Sequence, residues 1–480
     1  MSFLKSPLWL GLICIVNWRH VPAQCQLLTP QTDTFASSAS ISASQAAQAG
    51  INASLANNIA IALNFERSNF ANGSVASEDF YTVPKNAPGA APGTLLKLQL
   101  DANTSAYTLP PNTALSRFMF QSETLNGTAV PVSAYILWPY LPRNQSDGYP
   151  VLAWSHGNSG PGSAECAPSH YRNLLYQFAT IFELALQGYV VVAPDYAGLG
   201  VTKDASGNRI VYDYLGSPSH ANDLFYAVEA AQTAFSSFSK QFVVMGHSEG
   251  GGGAWAAAQR QLQKPVAGYL GAISGSPITN TLNLVDLAGV SAAPQVAIGI
   301  ANTLAGLYPG FKYSDILTPA GIALQTLLSE IQGCGSTVLE LFAGAGPGLV
   351  QPAWTQNFYA QSYQNLTVVG GKPFAGPMLI LQGTADAAVA EPVTSAAVQE
   401  TCQKYPDSQL EYLTFAGVDH VPVMFASQRL WLDWIAARFV GEEAPKGCQT
   451  TNYSSVRAYE YYQKEQIWFV EFATAGYETA

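Results

Sequence analysis

Charge is scarce in this 480-residue chain: only 11% of residues are Asp, Glu, Lys or Arg, and 21 basic residues stand against 32 acidic ones for a net charge of -11. Nucleic-acid binding is driven by clustered Lys and Arg, so a phosphate-tracking surface is excluded. Metal-ligand spacing is missing too, with no CxxC pair and no His-rich cluster, and no metal site is expected. No repeat of fixed period supports a solenoid or propeller. What is abundant is apolar side chain, 48% of the sequence, enough for a sizeable core.

The longest early apolar run, Leu8 to Val16, is shorter than the ~20 residues that a membrane-spanning helix needs. With Lys5 before it and Val21-Pro22-Ala23 after it, the run reads as a signal peptide over residues 1–23, with an uncleaved anchor as the alternative. Asn52, Asn72, Asn103, Asn126, Asn144, Asn365 and Asn452 each open an N-glycosylation sequon. Together these features point to a secreted glycoprotein. Of six cysteines, Cys14 falls in the signal, which leaves Cys25, Cys166, Cys334, Cys402 and Cys448. Two disulfides and one free thiol is the simplest arrangement, with Cys25 the candidate left over, and spacing alone does not give the pairing.

Residues 24–114 are rich in Ala, Ser, Asn, Gly and Pro and read as an N-terminal extension with a helical patch near Ile51 to Leu63. From Leu115 on, strand-like runs alternate with helical segments: Val132 to Trp138, Val151 to Trp154, Tyr189 to Ala193, the helical His220 to Phe235, then Phe242 to Met245. Met378 to Leu381 and Leu410 to Phe415 follow much later. This rhythm predicts an α/β fold with a mostly parallel sheet, its core split into residues 115–276 and 377–440. Between them, residues 277–376 carry long apolar stretches such as Val296 to Leu307 and Ile322 to Leu328 and read as an inserted, mainly helical cap. Its apolar faces fit either packing onto the core or a lipid interface. Residues 441–480 are a C-terminal extension.

Phe242-Val243-Val244-Met245-Gly246-His247-Ser248-Glu249-Gly250 is a strand followed by a G-x-S-x-G turn, and an Ala-rich helix comes next. Such a turn holds a serine clear of the sheet, where a neighbouring base takes its proton. Ser248 is therefore the candidate nucleophile. In this fold the acid and then the histidine follow the serine, and His420 is the only histidine after Ser248. Asp386, in the turn after the strand that precedes the histidine strand, is the candidate acid, with Glu391 and Asp419 as alternatives. The oxyanion donors are expected to be the Glu249 amide and an amide of Gly157 or Asn158, in the loop Ser155-His156-Gly157-Asn158. His156 reads as a structural hydrogen-bonder, and His247 as pointing away from the pocket.

The Gly246 to Gly250 elbow, the turn Ala193 to Gly200, the Cys166-Ala167-Pro168-Ser169 stretch, the Gly-Thr-Ala-Asp turn ending at Asp386, and Asp419-His420 resemble the fungal secretory lipase family, the lipase A group of α/β-hydrolases. The resemblance runs from about Leu115 to Phe439. It implies an α/β-hydrolase fold with a helical cap, ester hydrolysis without metal or organic cofactor, and a triad matching Ser248, Asp386 and His420. It further implies disulfides Cys166–Cys334 and Cys402–Cys448. The expected substrate is a carboxylic ester or lipid, with a lipid interface as the candidate partner and no protein partner indicated. Deacylation of a specific fungal secondary metabolite, as by trichothecene deacetylases that resemble this group, is the alternative. A peptidase on the same fold and a non-catalytic surface protein rank below it.

Overall fold

Alternate residues of a strand face opposite sides of its sheet, so an unbroken apolar run marks a strand covered on both faces. Val190 to Ala193 is such a run: Val190 and Val192 enter one apolar layer, Val191 and Ala193 the other. In the computed structural model, which describes residues 39–143, 147–288, 293–343 and 347–463, that run lies inside a sheet of ten strands. The signal segment, Cys25, Asn144 and the last part of the C-terminal extension fall outside the described residues.

The strands are β1 Leu95–Gln99, β2 Ala114–Glu123, β3 Ala129–Trp138, β4 Tyr149–Ser155, β5 Val190–Pro194, β6 Phe238–His247, β7 Tyr269–Gly275, β8 Met378–Gly383, β9 Leu410–Phe415 and β10 Cys448–Tyr453. Their order is β1-β2-β3-β5-β4-β6-β7-β8-β9-β10. β1, β2 and β3 pair antiparallel, β3 runs antiparallel to β5, and from β5 to β10 every pairing is parallel. Helices Ser217–Ala234 and Glu249–Gln263 cover one face, and Ile181–Leu186 and Gln428–Phe439 the other. The parallel strands thus deliver the loops after β4, β6, β8 and β9 to one edge of the sheet, the carboxyl edge, where sites in such folds form.

Between β7 and β8 lie helices Thr281–Ala288, Ala293–Leu307, Pro319–Ile331, Gly335–Phe342 and Phe358–Thr367. These occupy the segment read as a cap. The two segments read as extensions are more than that, since β1 lies in residues 24–114 and β10 in residues 441–480, and both pair into the sheet. The N-terminal helix Ala53–Ser68 reaches the cap: the Glu66 carboxylate accepts from the amides of Cys334 (2.8 Å) and Thr337 (3.1 Å). Disulfides close Cys166 to Cys334 and Cys402 to Cys448, the pairing that the resemblance implied. Among the described residues no helix is long and apolar enough to cross a membrane.

Candidate active site

β6 ends at His247, and Ser248 takes φ 60° and ψ -122° before the helix Glu249–Gln263 begins. A side-chain-bearing residue in this left-handed region is strained, and the strain is what lifts a nucleophile out of the sheet. The turn closes only because its flanks are glycine. A Cβ on Gly246 would sit 2.1 Å from the Gly250 carbonyl oxygen, and one on Gly250 would sit 2.0 Å from that of Ser155. Bonds from Ser248 N–H to Gly275 O (2.9 Å) and from Ile278 N–H to Ser248 O (3.1 Å) pin the backbone.

The loops after β8 and β9 bring Asp386 and His420 together. His420 Nδ1 lies 2.8 Å from Asp386 Oδ2, an oxygen that also accepts from Gln382 Nε2 (3.1 Å). Asp386 Oδ1 accepts from the amides of Val389 (2.7 Å) and Ala388 (3.0 Å). Burial pushes this carboxyl up, but the His420 ring and the Val389 amide outweigh it and hold it below the ordinary carboxylate value. The two alternative acids are engaged elsewhere. Asp419 Oδ1 accepts from the amides of Ala387 and His420 and stitches the two loops, while Glu391 accepts from the Tyr412 hydroxyl (2.9 Å).

His247 is fully buried, and its ring turns toward Tyr176 and the main chain of His420: Nδ1 meets Tyr176 Oη at 2.7 Å and Nε2 meets the His420 carbonyl at 3.0 Å. The His247 and His420 rings are 4.5 Å apart, which sets the His420 loop beside the Ser248 turn. Burial and the neighbouring His420 depress His247 to about 3, so its ring is neutral.

The loop after β4 closes the other side. Gly157 lies so near Ser248 that a Cβ there would be 3.2 Å from Ser248 Cβ and 2.1 Å from Tyr176 Oη. Asn158 is tied by its side chain: Nδ2 donates to Glu249 Oε2 (3.2 Å), and Oδ1 accepts from Gly160 N–H (3.0 Å).

Glu249 opens its helix, so its own amide has no intrahelical acceptor, while its side chain turns into the interior. Oε1 accepts from Tyr212 Oη (2.6 Å), Leu215 N–H (2.7 Å) and His220 Nε2 (2.8 Å). Burial pushes this carboxyl up, and the His220 ring with the other donors reverses the effect, leaving it below its ordinary value. His156, Tyr196, His220 and Tyr212 stack as a buried column beneath the site. Tyr176, His220 and Tyr212 had no signal in the sequence, because no spacing rule connects them to the elbow.

His156 belongs to this column and not to the Asp386 pair. Its ring nitrogens face main-chain oxygens, Gly157 O at 2.7 Å and Asp195 O at 3.2 Å, and burial lowers its pKa to about 4. The Asp195 carboxylate is itself spent on Ser133 and Ser169. Cap residues Ile298, Leu328, Val338 and Phe342 line an apolar space that abuts Asn158 and Pro161.

A profile of the alpha/beta hydrolase family matches residues 151–431, from β4 through the histidine loop. The chain belongs to the alpha/beta hydrolase family. It is similar to Lipase 10 of Candida albicans, 26% identical over 410 residues that cover 79% of this chain and 84% of the relative. Lipase 1 of the same organism is 25% identical over 412 residues, 78% and 83% of the two chains. Among solved structures, Candida antarctica lipase A in its closed state superposes with a TM-score of 0.62 at 17% identity, over 81% of this chain and 91% of that one. The rice cell wall degrading esterase LipA from Xanthomonas oryzae gives 0.56 at 18% identity, over 73% and 97%. These likenesses are those of a fungal lipase-type hydrolase fold.

Proposed function

We propose that the protein hydrolyses carboxylic esters through an acyl-enzyme on Ser248, as a lipase or esterase. The single observation that carries this reading is the strained Ser248 turn flanked by the His420–Asp386 pair. In the reaction His420 Nε2 takes the Ser248 hydroxyl proton as Oγ attacks the ester carbonyl. Asp386, on Nδ1, orients the ring and stabilises the imidazolium. The Glu249 amide and an amide of Gly157 or Asn158 receive the developing oxyanion. Collapse breaks the C–O bond and His420 returns the proton to the leaving alcohol. Water, deprotonated by the same ring, then frees the acid and restores Ser248.

The relatives' names, lipases and an esterase, favour an ester over an amide. Export is part of the same reading. Asn52, Asn72, Asn103, Asn126, Asn365 and Asn452 are all exposed, as glycan acceptors must be. The test is hydrolysis of p-nitrophenyl esters from acetate to palmitate by the wild type and Ser248→Ala. The wild type should cleave them and the variant should lose at least about 10³-fold in kcat. A wild type neither active on any ester nor labelled by a fluorophosphonate would defeat the reading, and the chain-length profile separates lipase from short-chain esterase.

A further inference from the structure

We propose that Tyr176 and His247 form a hydrogen-bonded bridge that holds the oxyanion loop and the His420 loop in fixed relation across Ser248, both acting as positioning residues. The proposal rests on the reading of Ser248 as nucleophile and His420 as base.

The direction of every bond in the bridge is set by its ends. The His420 carbonyl can only accept, so the proton of His247 is on Nε2, 3.0 Å away. A neutral imidazole then has a bare Nδ1, which must accept, and Tyr176 O–H is the donor at 2.7 Å. Tyr176 Oη in turn packs against the Gly157 main chain, so closely that a Cβ at 157 would lie 2.1 Å from it. The line from Tyr176 through His247 to His420 O therefore has one consistent polarity and no choice of tautomer. Burial keeps both ends of the exchange in the required form, the His247 ring neutral and the Tyr176 phenol protonated.

The surrounding chain is built to place this hydroxyl. Leu174, Leu175 and Gln177, around Tyr176, all have positive φ, at 53°, 70° and 46°. Such strain at branched and long side chains persists only where the surroundings over-determine it. The Tyr176 ring is wedged edge-on between Trp154 (5.0 Å) and His247 (5.6 Å), which fixes its plane. At position 157 only glycine leaves room for Oη. The bridge's own hydrogen bonds run between the two side chains and to the His420 main chain, not to the Ser248 hydroxyl or the His420 ring nitrogens. Their effect is on where the loop donors and the His420 ring sit.

Catalysis by pre-placed donors and a pre-placed base is sensitive to displacements of about 1 Å. Tyr176→Phe removes one oxygen and should lower kcat on a soluble p-nitrophenyl ester by about fivefold or more, with KM within about twofold of wild type. His247→Gln, which keeps a donor toward the His420 carbonyl, should retain more activity than His247→Leu. Since the bridge fails as a unit, Tyr176→Phe combined with His247→Leu should fall no lower than His247→Leu alone, within about twofold. Histidine ¹⁵N NMR of the wild type reads the bridge independently of turnover, and should give His247 as neutral and Nε2-protonated from pH 5 to 8. A smaller loss in Tyr176→Phe, multiplicative losses in the double variant, or a His247 proton on Nδ1 would each overturn the proposal. If Tyr176→Phe does not fold, His247→Gln against His247→Leu and the NMR tautomer decide. A wild type inactive on esters but with the expected tautomer would count against the nucleophile reading and leave the bridge standing as geometry.

Discussion

Asp386 Oδ2 meets His420 Nδ1 at 2.8 Å, while Asp419, adjacent to the histidine, spends its carboxylate on backbone amides. Proximity in sequence and proximity to the ring nitrogen are thus divided between two aspartates. Asp386→Asn should lower kcat by about 10³- to 10⁴-fold, because an amide on Nδ1 stabilises the wrong tautomer. Asp419→Asn should cost much less than that. Steady-state kinetics of the two variants on one ester check the assignment, and equal losses would contradict it.

Glu249 is a buried carboxylate with three donors on one oxygen, among them His220 Nε2. Glu249→Gln leaves His220 facing a neutral amide in a site that is out of solvent, and should destabilise the fold by about 2 kcal/mol or more. The folded pKa lies below the unfolded value of 4.5, so the carboxylate's contribution is complete above that value and is lost as pH falls through the folded pKa. Urea unfolding of wild type and variant at pH 7 and in acid should therefore show a difference that shrinks on acidification.

Glu66 behaves in the opposite sense. It is buried between the N-terminal helix and the cap, and burial raises its pKa from 4.5 to about 7. Between those values the folded protein holds a proton that the unfolded chain has released, so this group's effect is to lower stability as pH rises from 4.5 to 7. The full shift corresponds to about 3 kcal/mol. Glu66→Gln should flatten that slope, measured as the difference in unfolding free energy between wild type and variant across the window.

Cys402 and Cys448 close a loop of 46 residues and tie the start of β10 to the helix Glu391–Lys404. Chain-entropy arguments give such a link about 4 kcal/mol at most. Replacing both by serine should lower stability by about 2–4 kcal/mol and make residues 441–453 the first site of limited proteolysis. Cleavage first in the cap instead would show that β10 does not depend on the link.

Much of the sheet was legible where the sequence was plain. β5 and the end of β6 are unbroken apolar runs, and the runs that mark β3, β4, β8 and β9 fall inside the observed strands. β2 escaped because buried Arg117 and Gln121 break its apolar pattern, and β7 because Gly271, Ser274 and Gly275 leave it no unbroken apolar run. β10 has an almost wholly polar, exposed face and owes its place to pairing with β9. At the site, the elbow motif and the order of residues along the chain pointed to Ser248, Asp386 and His420, and the structure brings the last two within 2.8 Å of each other. Tyr176, Tyr212 and His220 converge only through loop geometry, which periodicity does not encode.

The Cys166–Cys334 disulfide joins the stretch that follows the oxyanion loop to the start of cap helix Gly335–Phe342, with 5.4 Å between the Cα atoms. A cap pinned at that point cannot lift away as a detached plate. Displacement of residues 277–376 is therefore held smallest at Gly335–Phe342 and can grow only with distance along the chain from that covalent link.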